Sequence, residues 1–294
     1  MRKALFIVGP TAVGKTDLAF YLSKKVPSVL ISADSVQVFK GADIISGKDN
    51  SVATELIDLV SPTQEFSVSD FVKSVRPIVE KAFSQRKIPI IVGGTGFYVD
   101  ALFGKIDTIS IPPNKILRTK LQKLSVIELQ EQLKKVNSKR FSGMNNSDVN
   151  NKRRLIRAIE VGPNISKTTP VINPEDVLII GLKTTSDNLR DRIIDRVKKR
   201  LEGGAMIEAK RLFADYENIS PQLKSANGYR ELLDYLLGKT SFDEAKKRWI
   251  TADSLHSKNQ MTWFKKGKTI VWFDIEKRGF EQEIMKLISH EISL

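Results

Sequence analysis

Three short stretches of this 294-residue chain carry residue types that could do chemistry. Gly9-Pro10-Thr11-Ala12-Val13-Gly14-Lys15-Thr16 fits G-x-x-x-x-G-K-[ST], a phosphate-binding loop. Its glycines let backbone N–H groups wrap a phosphate, and a helix N-terminus adds partial positive charge. Lys15 would reach the outer phosphate, and the Thr16 hydroxyl would hold a Mg²⁺ bound to it. The second stretch is Ser32-Ala33-Asp34-Ser35-Val36-Gln37, where a strand ends and places Asp34 at the carboxyl edge of a sheet, the edge that carries ligands in open α/β folds. The third is Gly93-Gly94-Thr95-Gly96, which allows close backbone approach to a ligand and offers the Thr95 hydroxyl. Many phosphate-loop hydrolases keep a metal-holding Asp at such a strand end. Its absence here argues against a plain ATPase or GTPase, and against a small-molecule kinase. The loop alone leaves open which phosphorylated compound is bound.

The elements that must hold these residues follow from periodicity. Ala4–Val8, Val29–Ile31, 55–60, Lys87–Val92, Val177–Leu182 and Thr269–Phe273 read as strands. Apolar spacing predicts helices after Lys15, over Ser67–Phe83, Ser125–Val136, Val149–Val161, Leu189–Leu201, Ala205–Phe213, Leu232–Leu237, Phe242–Phe264 and Phe280–Ile292. Strands alternating with helices imply a parallel sheet covered by helices. Pro112-Pro113 marks a change of composition. Residues 113–176 are expected to form a mainly helical, basic insertion into an α/β core of 1–112 and 177–294.

Charge points to a polyanionic partner. The chain carries 48 Lys and Arg against 34 Asp and Glu, a net +14. Residues 113–180 hold 13 basic and 6 acidic side chains, half of that excess in under a quarter of the length. Lys152, Arg153, Arg154 and Arg157 share one helix with Leu155, Ile156 and Ile159, so one face can pack while the other meets phosphates or solvent. There is no cysteine, which excludes thiolate nucleophiles and cysteine zinc sites and accords with a cytoplasmic location. No apolar run is long enough for a membrane span, and the apolar stretch after Met1-Arg2-Lys3 is too short for a signal peptide. His256 and His290 are isolated, with no carboxylate or thiol cluster at ligand spacing around either, and read as ordinary surface or packing residues.

In this order the segments resemble the tRNA dimethylallyltransferases, also called IPP transferases. The resemblance runs from Gly9 to about Lys265. It rests on the phosphate loop, on Asp34-Ser35-Val36-Gln37-Val38-Phe39-Lys40-Gly41-Ala42-Asp43-Ile44, and on Pro89–Gly96. It continues in Arg154–Val161, Gly228-Tyr229-Arg230-Glu231 and Gln260-Met261-Thr262-Trp263-Phe264.

The resemblance implies a P-loop NTPase-like core in a bacterial-type enzyme that prenylates N6 of adenosine 37 in tRNAs reading codons that begin with U. Dimethylallyl diphosphate would be the co-substrate, seated on residues Gly9 to Thr16, with Mg²⁺ on Thr16. Asp34 would be the general base, and Thr95 and Arg118 would help to stabilise the leaving pyrophosphate. The tRNA anticodon stem-loop would meet Asp34, Ser35, Val36, Gln37, Arg153, Arg154, Arg157, Gly228, Tyr229, Arg230, Lys258, Gln260 and Trp263. The basic insertion and the arginine-rich helix after Leu189 would grip its phosphates. The enzyme is expected to be a monomer.

Two departures from the family pattern stand out. Asn150-Asn151 replaces an Asn-Asp pair, and 251–259 lacks two or more basic residues, including an Arg replaced by Asn259. Other readings are an adenylate dimethylallyltransferase acting on free nucleotide, a P-loop small-molecule kinase, and a non-catalytic RNA-binding protein. An intact Asp34 argues against the last.

Overall fold

A computed structural model describes residues 3–49, 51–163, 168–214, 217–267 and 269–292. The chain forms two compact units, one of Met1–Phe103 with Val171–Leu294 and one of Gly104–Pro170.

The first unit opens with β1 (Ala4–Val8), the phosphate loop and α1 (Lys15–Ser23). There follow β2 (Ser28–Ser32), β3 (Thr54–Glu55), α2 (Val68–Ser84), β4 (Ile88–Val92) and α3 (Gly96–Leu102). The second unit holds α4 (Lys115–Leu121), α5 (Val126–Ser142), α6 (Asn146–Val149) and α7 (Lys152–Val161). The first unit resumes with β5 (Val177–Lys183), α8 (Ser186–Glu202), α9 (Ala205–Phe213), α10 (Pro221–Lys224), α11 (Tyr229–Leu236), α12 (Phe242–Phe264), β6 (Ile270–Asp274) and α13 (Phe280–Glu291).

The six strands form one all-parallel sheet in the order β3-β2-β4-β1-β5-β6. β1 lies inside it because all five of its residues are buried, as a strand covered on both faces requires. Its alternate side chains divide between two layers. Leu5 and Ile7 pack with Leu18 and Leu22 of α1 and with Ile284 and Ile288 of α13. Between them, Phe6 turns the other way, its ring 5.2 Å from that of Phe103. On α2 and α3, Phe71 and Tyr98 stack with ring centroids 4.1 Å apart. Full burial of one such side chain contributes about 1.5–3 kcal/mol. α2 starts at a capping box, Ser67 with Asp70.

The predicted strand over 55–60 is reduced to Thr54–Glu55. Leu56 and Asp58 adopt positive φ (65° and 53°), which ends the extended run, and only Val60 rejoins by a bridge to Phe39.

The second unit has its own core of Leu121, Leu129, Leu133, Leu155, Ile156 and Ile159. Asn137 breaks α5 at φ −157° and re-caps it, accepting from Arg140 N at 2.9 Å and donating to Gly162 O at 2.9 Å. The helix expected over 149–161 begins only at Lys152, because Asn151 caps it by accepting from Arg154 N at 3.2 Å. Asn and Asp are equally good caps, so this departure from the family pattern keeps the local geometry.

The unit begins and ends earlier than the insertion expected over 113–176. Pro112 and Pro113 lie within it, while 171–176 belong to the first unit, where Val171 N donates to Leu102 O at 2.8 Å and Ile172 is buried.

Candidate active site

A cleft of about 590 Å³ opens at the carboxyl ends of β1, β2 and β4. The phosphate loop forms its floor. Gly9 and Gly14 take φ of 143° and 92°, values that favour glycine, and a Cβ on Gly9 would strike the Leu182 carbonyl. Lys15 curls over the loop, its Nζ donating to Pro10 O at 2.6 Å and Gly9 O at 3.0 Å. Thr16 lines the cleft at the start of α1.

One face of α8 forms the opposite wall. Arg192, Arg196 and Arg200 recur every four residues and so share that face. Arg192 Nε donates to Ala12 O at 2.8 Å, and Arg196 donates to Thr11 Oγ1. Such crowding of cations is costly without an anion. Burial, then the charge of Arg196, lowers the Lys15 pKa to about 7, with Asp34 acting in the other direction. Burial likewise depresses Arg196, and burial followed by Arg196 depresses Arg200. The wall is thus prepared for a ligand carrying several negative charges.

Asp34 stands at the end of β2. Its Oδ1 accepts from Val36 N at 2.8 Å and Gln37 N at 3.3 Å, an Asx turn that fixes the carboxylate over the cleft. Gln37 is held in turn, accepting from Ser32 Oγ at 2.7 Å and donating to Gly47 O at 3.2 Å. Ser35 is tied down by Gln222, which donates to its carbonyl at 2.7 Å.

The Gly93–Gly96 segment forms the third side. Gln260 of α12 bridges it to the phosphate loop, accepting from Thr11 N at 2.7 Å and donating to Gly94 O at 3.0 Å. A Cβ at Gly94 would collide with Gln260, and one at Gly96 with Trp263. Thr95 caps α3 without a side-chain capping bond. Trp263 remains 43% exposed.

Several residues expected to meet RNA lie elsewhere. Tyr229 is fully buried and donates its hydroxyl to Glu208, so it supports the fold rather than offering a surface; Gly228 beside it is buried against Trp249. Both amide ends of buried Gln260 are already engaged. Arg230 pairs with buried Glu231 but is half exposed, and Lys258 is exposed.

In the second unit, Arg118 makes two 2.9 Å bonds to Glu160. Arg157 also pairs with Glu160 and bonds the carbonyls of Thr108 and Ile111, at 2.7 and 2.8 Å. These two arginines knit that unit together. Arg154 pairs with Asp148 while staying 55% exposed, and Arg153 is exposed beside it.

Four features escaped the sequence reading. The α8 arginines, expected to grip RNA, instead face the phosphate loop; their four-residue spacing was the available signal. Glu208 accepts from the backbone N–H groups of Asp43, Ile44 and Ile45 at 2.8, 2.7 and 3.0 Å, fixing the loop after Gln37. Asp253 is buried, with Oδ1 accepting from Asn227 at 3.0 Å and Oδ2 unpartnered. His256 lines the cleft one helical turn before Gln260.

A parallel sheet with a phosphate loop after an inner strand, walled by buried cations and a fixed carboxylate, defines a P-loop α/β protein whose cleft suits a polyanionic ligand. Its relatives narrow the class. The family model described as IPP transferase matches residues 37–267. The tRNA dimethylallyltransferase of Halalkalibacterium halodurans is 34% identical, over 97% of this chain and 95% of that protein. Among solved structures, the tRNA isopentenylpyrophosphate transferase of Bacillus halodurans superposes with a TM-score of 0.74 at 33% identity, covering 100% of this chain and 97% of that one. A eukaryotic dimethylallyltransferase acting on tRNA superposes with a TM-score of 0.81 at 25% identity, covering 98% of this chain and 78% of that one. The chain belongs to the IPP transferase family.

Proposed function

We infer that this protein transfers a dimethylallyl group from dimethylallyl diphosphate to the exocyclic N6 amine of adenosine 37, in tRNAs reading codons that begin with U. The observation that carries this reading is one cleft joining a polyphosphate seat to a fixed carboxylate, Asp34, in a chain of this family.

The N6 amine is a weak nucleophile because its lone pair is delocalised into the ring. Asp34 acts as general base, taking the proton as the C–N bond forms. Its Oδ1 is anchored by Val36 and Gln37, which leaves Oδ2 for the substrate. The prenyl C–O bond breaks as the amine attacks, and pyrophosphate departs. Lys15, Arg196, Arg200 and the loop amides of residues 12–16 stabilise the charge that develops on it. Thr95, at the start of α3, is assigned to the same leaving group.

Among the described residues no group of three or more His, Asp or Glu gathers to hold a metal. Mg²⁺ keeps waters and substrate phosphates as ligands and needs few from protein. Thr16 would hold it, and the ion would neutralise part of the diphosphate charge.

The acceptor base must leave the anticodon-loop stack to reach Asp34. Arg153 and Arg154 supply phosphate contacts, with Lys258 and Trp263 on α12 at the acceptor side. No helix among the described residues is long and apolar enough to cross a membrane. A tRNA substrate accords with a cytoplasmic location.

The test is incubation with Mg²⁺, dimethylallyl diphosphate and either unmodified tRNA or AMP. The mass of the prenyl group should appear on adenosine 37 of tRNA. Product with AMP alone would transfer the assignment to a free-nucleotide prenyltransferase.

A further inference from the structure

The proposed reaction leaves a proton on Asp34, inside a wall of cations, and the enzyme must discharge it before the next turnover. His256 is one of two histidines in the chain, and the one that lines this cleft. It sits on α12 a single turn before Gln260, whose position is fixed by its bonds to Thr11 and Gly94. The backbone that carries the imidazole is therefore anchored to the phosphate loop itself. Its side chain is exposed, so the ring meets both the cleft and the surrounding water.

We propose that His256 is a proton-relaying positioning residue, which takes from Asp34 the proton that Asp34 removed from the amine and releases it to solvent. The proposal rests on the prenyl-transfer reading of the same cleft. The balance is simple. The N6–H proton goes to the Asp34 carboxylate as the C–N bond forms and the C–O bond breaks. It then passes to the neutral imidazole, Asp34 regains its charge, and His256 loses the proton to water. Nothing is oxidised or reduced.

The charged surroundings suit a relay. The imidazole shares the cleft lining with Asp34 after β2, Lys15 of α1 and Arg196 of α8, and Asp253 lies three residues before it on α12. Partial withdrawal from water at the cleft lowers its pKa; the charges of Asp34 and Asp253 oppose this, and those of Lys15 and Arg196 add to it. A neutral ring at neutral pH can accept a proton, and nearby cations hasten its release. Asp34 has no other imidazole in the cleft to serve it, because His290 lies on the last helix, α13, outside the lining.

The experiment compares wild type with His256→Gln and His256→Phe in single-turnover and steady-state tRNA prenylation from pH 5.5 to 8.5. Each is repeated with added imidazole, and folding is checked by thermal melting. We expect kcat to fall by about tenfold in both variants with the KM for dimethylallyl diphosphate little changed. The acid limb of the wild-type profile should disappear, and imidazole should restore turnover in the variants only. An unchanged kcat and pH profile in folded His256→Gln would overturn the relay. So would a higher KM at constant kcat, since that marks a binding residue. Wild-type enzyme without any prenyl product is a separate outcome, one that removes the prenyl-transfer reading and the relay with it.

Discussion

Gln260 and Thr11 are 249 residues apart in the chain, yet the Thr11 N–H donates to Gln260 Oε1 at 2.7 Å. The other end of the same amide reaches Gly94 O at 3.0 Å. One side chain thus ties the phosphate loop to the glycine segment after β4, in a space that a Cβ on Gly94 would fill. Gln260→Ala leaves a buried carbonyl and a loop amide without partners, at a cost of about 1–3 kcal/mol. Urea denaturation should show that loss, together with a raised KM for dimethylallyl diphosphate. Gln260→Glu keeps an acceptor for Thr11 but no donor for Gly94, and should fall between. Stability and KM that both match wild type would show the bridge to be dispensable.

Lys15 makes diphosphate binding depend on pH. In the free protein its pKa is lowered to about 7, chiefly by burial and then by Arg196. Bound diphosphate adds negative charge beside Nζ and raises that pKa again. Above pH 7 the free protein lacks the proton that the complex holds, so binding takes one up. Affinity is then greatest below pH 7 and weakens as pH rises through it. Calorimetry with inorganic pyrophosphate at pH 8, in two buffers of different ionisation enthalpy, should show greater proton uptake by wild type than by Lys15→Met. Equal uptake would contradict this account of Lys15.

Asp34→Asn preserves the acceptor for the Val36 and Gln37 amides but cannot take a proton. Turnover should drop by about 10²–10⁴-fold. Binding of tRNA, measured by filter retention, should remain within a few-fold of wild type. Full activity in the variant would remove Asp34 as the base.

On α7, Arg153 is exposed and Arg154 is tied to Asp148 at one end only. Changing both to Ala should weaken tRNA binding across all sequences and reduce the salt slope by about 1–2. Thermal stability of the second unit should hardly change. Arg157→Ala should do the reverse, lowering stability first, because its guanidinium bonds Glu160 and two carbonyls.

How much of this could be read from the residues follows from what each signal depends on. The strands β1, β4 and β5 were legible because complete burial demands an unbroken apolar run, and the phosphate loop because its geometry demands glycine at fixed places. Asp34 was legible as the polar end of β2. Other features depend on distant partners. Charge alone could not tell that Arg118 and Arg157 would converge on Glu160, or that Arg196 would face Thr11. Tyr229 stood in a distinctive sequence segment, but that segment is distinctive because Glu208 needs its hydroxyl and Trp249 needs the space at Gly228. His256 was passed over because no cluster of carboxylates or thiols surrounds it in sequence. Asp34 and Lys15, which line the same cleft, come from the other end of the chain.

The central claim is that the polyphosphate in this cleft is a leaving group and the prenyl chain is the cargo. The most direct measurement follows pyrophosphate release and N6-dimethylallyladenosine formation in the same reaction, the latter by mass spectrometry of nuclease-digested tRNA. The account predicts one pyrophosphate per modified adenosine, no product without tRNA, and no phosphate released from added ATP. Phosphate release from ATP with unmodified tRNA would contradict it.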